Sequence, residues 1–290
     1  MQILVVSPRV APGLLTLSAW DALRAAPAVR AADLEDPHVV AIVAAGIVVE
    51  STPEVPAYEA DAVWIAPTGD VGWAQGVATD LVDGESSHVE IIFGSYDQPG
   101  SRLLDLVEVM DQLRTQCPWT REQTHASLSH YLLEEAYETL ESLDSGDTHH
   151  LREELGDLLM QVVFHARIAA EAEGWDIDTV AEGIVAKLIY RNPHVFGDET
   201  APSADEVSAA DVDANWQALK AVEKQRSSPL DGIPATMPAL AFADKVLGRI
   251  GEVTVDGEDF GSRLLALVQE SRAEGINAEE ALRKSVRSLF

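Results

Sequence analysis

The chain has 290 residues, enough for two or three domains, and its 47% of hydrophobic residues suffices for sizeable cores. A net charge of −29 repels nucleic acid, so we expect no nucleic acid polymer among its partners. Cys117 is the single cysteine, which excludes an intramolecular disulfide and favours a reducing compartment. Without a basic leader or an apolar run of about 18 residues, we expect a cytoplasmic protein with no membrane partner.

Residues 1–95 are predicted to form a small α/β domain. The apolar run at residues 3–6 is typical of a buried strand, and a helix over residues 17–25 follows a turn rich in Pro and Gly. Three later runs are also typical of strands: residues 39–49, 62–65 and 89–93. The Pro and Gly residues at 94–100 indicate a linker.

Long helical patterns begin at residue 101, so the chain as a whole is predicted to be mainly α. We expect one helical domain over residues 101–225 and a shorter one over 230–290. The predicted helices of the first domain cover residues 103–113, 128–143, 151–172, 178–190 and 214–225. Loops are expected over residues 197–213, which are acidic, and over 227–238, which hold three prolines.

Two carboxylate clusters occur at helical spacing, Glu134-Glu135-x-x-Glu138 and Glu154-x-x-Asp157. Side chains three or four residues apart share a helix face, and both clusters lie beside apolar stripes. A turn signal between them lets the two helices run antiparallel, which would bring the carboxylates together. Because a hard divalent cation takes oxygen ligands and would neutralise these charges, the spacing predicts a magnesium site.

Glu134 is the carboxylate that we nominate as a base able to take a proton from an attacking water, and Glu138 could share in catalysis.

Either cluster alone is most simply a solvated helix face that forms salt bridges. Basic partners are sparse here, since the first lysine is Lys187 and only Arg152 is near the second cluster. A ferritin-like iron site is disfavoured because it requires Glu-x-x-His, which neither cluster contains.

Lys187 and Arg191 lie one helical turn apart, and two such cations suit a triphosphate. Their alternative role is to stabilise the carboxyl end of a helix against its dipole. Trp119 and the Asn215-Trp216 pair offer aromatic rings that could stack on a base, although each tryptophan could equally be an ordinary core side chain.

Several motifs occur in order over residues 101–225 and resemble MazG-type nucleoside triphosphate pyrophosphohydrolases. These motifs are Cys117-Pro118-Trp119, Leu133-Glu134-Glu135-Ala136-Tyr137-Glu138, Glu154-Leu155-Gly156-Asp157-Leu158-Leu159 and Arg191-Asn192-Pro193-His194-Val195-Phe196. The resemblance implies a helical-bundle core that forms a homodimer. It also implies magnesium-dependent cleavage of the α–β phosphoanhydride, with Mn2+ as a substitute metal, which yields a nucleoside monophosphate and pyrophosphate.

Carried over to this sequence, the resemblance implies a role for nine residues in all. The metal ligands would be Glu135, Glu138, Glu154 and Asp157, the phosphate contacts Lys187 and Arg191, and the nucleotide contacts Trp119, Asn215 and Trp216.

The tail at residues 230–290 resembles a shortened, degenerate second MazG domain. In the matching register Asp259 stands opposite Glu154 and Ser262 stands opposite Asp157, so an acidic ligand is lost. We therefore predict one active site per chain. The N-terminal domain faintly resembles the start of a tetrapyrrole methylase, but its Gly-rich binding turn is replaced, so we expect it to be non-catalytic.

The resulting prediction is an enzyme that removes unwanted nucleoside or deoxynucleoside triphosphates from the nucleotide pool. A helical, dimeric scaffold protein with a structural cation site is the alternative from another functional class. The two differ in whether a nonhydrolysable triphosphate binds in a magnesium-dependent way. Methyl transfer by the N-terminal domain is a third possibility, which requires binding of S-adenosylmethionine.

Overall fold

The computed structural model describes residues 1–52, 58–67, 69–82, 88–197, 207–223 and 227–289. In that part of the chain, thirteen helices and one small sheet form a mainly α protein, as the sequence predicts. The chain divides into two compact units, Met1–Val180 and Ala181–Phe290. The three domain ranges drawn from the sequence stay a prediction.

The N-terminal region contains a five-stranded sheet in which all the described pairings are parallel. The strands are β1 (Gln2–Val5), β2 (Val29–Ala31), β3 (Glu50–Ser51), β4 (Val63–Ile65) and β5 (Glu90–Phe93), in the spatial order β3-β2-β4-β1-β5. Parallel neighbours need crossover connections, and the helices of this region are α1 (Leu17–Ala25), α2 (Pro37–Ala44) and α3 (Val71–Leu81). The predicted α/β character is therefore confirmed.

Side chains of β1 are buried on both faces of the sheet. Leu4 packs with Leu23 of α1 and Ile42 of α2, whereas Ile3 packs with Val77 of α3 on the opposite face. Successive strand residues point to opposite faces, so an uninterrupted apolar run is what a strand covered on both sides requires.

The strand predicted over residues 39–49 is wrong, because this stretch begins inside α2 (Pro37–Ala44). Its Val and Ile residues favour a strand, but the signal for a helix start lies just before them. Asp36 accepts hydrogen bonds from the backbone N–H groups of His38 and Val39, and Pro37 occupies the first helical turn. The strand follows later, as the short edge strand β3.

The predicted linker at residues 94–100 contains no helix or strand, yet side chains fix it firmly. Ser7, just after β1, donates a short hydrogen bond to Asp97. Arg9, whose side chain is 9% exposed, donates from Nη1 to Asp97 at 2.8 Å and from Nε and Nη2 to Asp105 at 2.7 and 2.6 Å. Since Asp105 belongs to α4 (Arg102–Gln116), the chain after β1 is tied directly to the first long helix.

The long helices that follow agree with the prediction from hydrophobic periodicity. They are α6 (His125–Ser145), α7 (Thr148–Ala172) and α8 (Ile177–Arg191). The short helices α5 (Pro118–Glu122) and α9 (Pro193–Phe196) were not predicted. A small core of Met110, Leu128, Val163 and Phe164 joins α4, α6 and α7.

Helix α10 (Ala209–Glu223) begins within the predicted loop at residues 197–213. Ser208 and Asp211 exchange hydrogen bonds between their side chains and backbone N–H groups, which is a capping arrangement that starts the helix early. The parts of the predictions that fall on residues 198–206 and 224–225 lie outside the described residues.

The tail is helical as predicted and contains α11 (Ala239–Ile250), α12 (Phe260–Ala273) and α13 (Ala278–Arg287). Residues 227–238 hold neither helix nor strand, which confirms the predicted loop. No helix among the described residues is both long and apolar enough to span a lipid bilayer.

Candidate metal centre

The candidate site is built on the hairpin of α6 and α7. Thr124 and Ser127 form a capping box at the start of α6. Gly146, in the left-handed conformation with φ 74°, ends α6, and Asp147 caps α7 through hydrogen bonds from two backbone N–H groups. The connection between the helices is therefore only two residues long, as the turn signal predicts.

The two helices are paired in a defined antiparallel register. Near one end His125 meets His165, and further along α6 Glu135 meets Glu154 and Asp157. One ligand oxygen from each of Glu135, Glu154 and Asp157 lies within 4.8 Å of the other two. The structure thus brings together three of the four predicted metal ligands.

Glu138, the fourth predicted ligand, is exposed and lies beside this group. Partial desolvation raises its pKa above the ordinary value, and the negative charge of Glu154 adds to the effect. The pKa of Glu135 is raised as well, first by its burial and then by the charges of Asp157, Glu138 and Glu154. Burial and the repulsion among these carboxylates both disfavour their charged forms, and a bound cation would relieve the repulsion.

The carboxylate of Glu154 supplies an independent observation in favour of a cation at this cluster. Its residue is 7% exposed, and its Oε2 atom is buried without a hydrogen-bond partner. Its other oxygen lies 3.3 Å from Nδ1 of His150 on the same helix. A buried carboxylate oxygen with no partner is costly, and an all-oxygen set of donors fits magnesium or manganese.

Glu134, the predicted base, is exposed on α6 and is not one of the three converging ligands. Its charge contributes to raising the pKa values of Glu135 and Glu138, so it is close to the cluster. Its catalytic role stays a prediction.

Trp119 lies on the short helix α5, and 51% of its surface is exposed. Its ring contacts Tyr131 edge-on, with ring centres 6.0 Å apart, and is tilted against Phe164 at 6.4 Å. Trp119 is therefore anchored at one edge of the core and open on the other. That placement is compatible with a contact to a nucleoside.

The predicted phosphate and nucleotide contacts of α8 and α10 belong to the second unit. Lys187 and Asn215 are exposed. Arg191, in contrast, is buried and paired with Glu223, and its guanidinium carbon lies 5.1 Å from the ring centre of Trp216. The structure thus brings Arg191 and Trp216 into direct contact, and it adds Glu223, which the sequence prediction did not include.

Two further features, one within the hairpin and one between α4 and α7, escaped the sequence prediction. Nδ1 of His125 lies 2.7 Å from Nδ1 of His165, and Nε2 of His125 lies 3.3 Å from a carboxylate oxygen of Glu173. Buried Arg114 donates from Nε and Nη2 to Glu171 at 2.8 Å, and from Nη1 to the carbonyls of residues 120 and 123. The hairpin register could have paired the two histidines, whereas no local pattern marks Arg114.

In the tail, Asp259 has a different role from Glu154, the residue that it matches in sequence. Asp259 is the N-cap of α12 and accepts hydrogen bonds from both the backbone N–H and the hydroxyl of Ser262. Glu154, by contrast, lies well inside α7. The matching positions therefore form a helix start in the tail, and a single active site per chain stays a prediction.

A family model and several known proteins match the part of the sequence that forms this hairpin. A model of the MazG nucleotide pyrophosphohydrolase domain matches residues 123–196. The nucleoside triphosphate pyrophosphohydrolase of Mycobacterium tuberculosis is 38% identical over 235 residues, which are 77% of this chain and 70% of that protein. That of Mycolicibacterium smegmatis is 43% identical over 194 residues, which are 65% of this chain and 57% of that protein.

The Thermotoga maritima nucleoside triphosphate pyrophosphohydrolase/pyrophosphatase MazG is 36% identical over 216 residues, 64% of this chain and 81% of that protein. A solved mazG-related protein from the same organism has 26% identity and a TM-score of 0.35, covering 40% of this chain and 97% of its own. That structural similarity is too limited to bear on the fold.

Proposed function

The chain belongs to the MazG family and is a hydrolase of nucleoside triphosphates, and on that premise we propose that it cleaves the α–β phosphoanhydride with the help of magnesium. The products would be a nucleoside monophosphate and pyrophosphate. The observation that carries the proposal is the group of Glu135, Glu154 and Asp157, with its buried and unpartnered oxygen of Glu154.

Glu135, Glu138, Glu154 and Asp157 would hold the metal, and Mn2+ would substitute because the donors are the same hard oxygens. When bound, the metal supplies positive charge that neutralises the phosphate oxygens. Glu134, which is exposed beside the cluster, would accept the proton of the attacking water.

Lys187 and Arg191 would donate hydrogen bonds to the phosphates, because a guanidinium and an ammonium both match phosphate oxygens. Trp119, Asn215 and Trp216 would contact the nucleoside, the tryptophans through their aromatic surfaces. Catalysis in this arrangement comes mostly from positioning and from charge neutralisation.

We further propose that the enzyme is a homodimer that clears unwanted nucleotides. Support for the dimer comes from large apolar side chains that α6 and α7 leave exposed, among them Leu133, Tyr137, Leu155 and Leu159. Such a cluster on a helical hairpin is typical of an interface. Sedimentation equilibrium at several concentrations tests this, and a monomer throughout would contradict it.

Pyrophosphate release from a panel of canonical and damaged nucleotides, with magnesium or manganese, tests the reaction. Glu138→Ala and Asp157→Ala should each lower kcat at least 100-fold, which corresponds to a loss of about 3 kcal/mol of transition-state stabilisation. Glu153→Ala is the matched control, since Glu153 is exposed on α7 outside the cluster, and it should retain activity.

Two outcomes would overturn the proposal in different ways. Full activity of both cluster variants would remove the site assignment. Release of orthophosphate and a nucleoside diphosphate would instead show cleavage of the β–γ bond. Hydrolysis in 18O-labelled water adds the position of attack, because the label enters whichever product contains the attacked phosphorus.

A further inference from the structure

Arg191, the last residue of α8, is held along one edge of its guanidinium by Glu223, the last residue of α10. Nε donates to Oε2 of Glu223 at 3.2 Å and Nη2 donates to the same oxygen at 2.6 Å. Arg191 is only 7% exposed, so this pairing takes place largely out of water. Charge-assisted hydrogen bonds of this kind fix both the position and the plane of the guanidinium.

Trp216 fixes the same group from a second direction. Its ring lies 5.1 Å from the guanidinium carbon, at a distance where a cation and an aromatic face attract each other. Trp216 and Glu223 are seven residues apart on α10, which is two helical turns, so both project from one face of that helix. One side of α10 therefore contacts the guanidinium twice, through the carboxylate of Glu223 and through the ring of Trp216.

The remaining edge of the guanidinium is left available. Nη1 makes no hydrogen bond to any residue that the structure describes, and it is not among the buried atoms that lack a partner. Its two N–H groups thus face a region that solvent or a ligand can reach. An arginine held at one edge and open at the other suits the recognition of an anion with several oxygens, such as a phosphate.

We propose that Glu223 is a positioning residue that presents the Nη1 edge of Arg191 to a phosphate group of the nucleoside triphosphate. The inference rests on the proposed function, in which Arg191 contacts the phosphates. Glu223 itself does not touch the substrate, since its negative charge would repel it. Its contribution is to order a long side chain before binding, so that the substrate does not have to restrict it.

Steady-state kinetics of pyrophosphate release by the full chain test the proposal. Glu223→Ala should raise KM about 3- to 10-fold, the range expected when one long side chain must be ordered on binding, with kcat changed less than about 2-fold. Glu223→Gln should recover most of the affinity, because its amide oxygen can still accept both hydrogen bonds. Glu182→Ala, an exposed glutamate on α8, is the matched control and should leave KM unchanged.

A double-mutant cycle separates positioning from a merely structural role. If Glu223 acts through Arg191, then Glu223→Ala should have no further effect on KM once Arg191→Ala is present. An equal rise of KM in both backgrounds would overturn the proposal. A lower KM in Glu223→Ala would also overturn it, by showing that the carboxylate competes with phosphate.

Failure of this inference can be told apart from failure of the proposed function. If Arg191→Ala raises KM and Glu223→Ala does not, only the positioning role is lost. If Arg191→Ala leaves KM unchanged, the assigned phosphate contact itself is wrong. Thermal unfolding of each variant identifies any that fails to fold. If Glu223→Ala does not fold, Glu223→Gln still tests the positioning role.

Discussion

Replacing Glu154 by glutamine should stabilise the protein when no metal is bound. Its carboxylate lies within 4.8 Å of oxygens of both Glu135 and Asp157. Two unit charges at that distance repel by about 0.9 kcal/mol even at the dielectric of water, so removing one charge from two pairs gains about 2 kcal/mol. Glu154→Gln keeps the size of the side chain, and no cavity opposes this gain.

The melting temperature in the presence of a chelator measures this effect. A gain of about 2 kcal/mol should raise Tm by about 4–8 °C for a protein of this size. Glu153→Gln is the control, because the same substitution one residue earlier falls on an exposed side chain outside the cluster. That variant should stay within about 0.5 kcal/mol of the wild type.

Magnesium should reverse the order of stability. At 100 times its dissociation constant, a ligand that binds only the folded state adds about 2.7 kcal/mol to the wild type. Glu154→Gln has lost a ligand and should gain little, so the wild type becomes the more stable protein. Calorimetric scans with chelator and with increasing magnesium show whether the two curves cross.

The stability of the wild type without metal should depend on pH. Because the pKa values of Glu135 and Glu138 are raised in the folded state, these groups stabilise the folded protein below the ordinary glutamate pKa of 4.5, and this contribution is lost as pH rises through the raised values. Glu154→Gln should therefore gain its advantage over the wild type only as pH rises through that region. If Glu154→Gln is less stable than the wild type in chelator at neutral pH, the three carboxylates do not repel one another as inferred.

Two further predictions concern buried polar groups of the helical region away from the metal centre. Arg114→Met should lower the free energy of unfolding in urea by about 3 kcal/mol, because it leaves two carbonyls without donors and removes a bidentate pair with Glu171. Arg167 is a partly exposed partner of the same carboxylate, so Arg167→Met should lower it by less than about 1 kcal/mol. Equal losses in the two variants would contradict the role given to the burial of Arg114. Burial and the nearby His125 lower the pKa of His165, so Tm should fall as pH drops below the usual histidine pKa of about 6.5 and through the lowered value. His165→Asn should flatten that part of the Tm profile, and an unchanged profile would exclude His165 as its source.

The helical half of the fold could be predicted well because its signals are local and repeated. Helices α6 and α7 follow from apolar periodicity, and the turn at Gly146 follows from its sequence. The convergence of Glu135, Glu154 and Asp157 then needed only two antiparallel helices with a short connection. Spacing on each helix and the length of the turn fixed the rest.

Prediction failed where a local preference was opposed by a capping signal. The Val and Ile residues of 39–49 favour a strand, but Asp36 and Pro37 start a helix in front of them. The Ser208 and Asp211 pair likewise starts α10 inside a stretch whose composition indicated a loop. In both places one or two side-chain hydrogen bonds outweighed the average tendency of the segment.

The surroundings of Arg191 could not be predicted for a different reason. The sequence indicated two cations on α8 and a tryptophan on α10, but not that Glu223 would pair with one of them. Partners 32 residues apart are set by how two helices pack, and spacing within either helix does not reveal that packing. The same limit concealed the contact between His125 and His165.

The pairing of Arg9 with Asp97 and Asp105 has a consequence for how the protein unfolds. Glycine and proline between residues 94 and 100 would ordinarily let the sheet region and α4 melt separately. The guanidinium of Arg9, whose side chain is only 9% exposed, joins the two parts. Unfolding of either part alone would therefore leave this charge without one of its carboxylate partners. The sheet region and α4 should accordingly melt in one cooperative transition, and a fragment cut after residue 100 should lose stability on both sides of the cut.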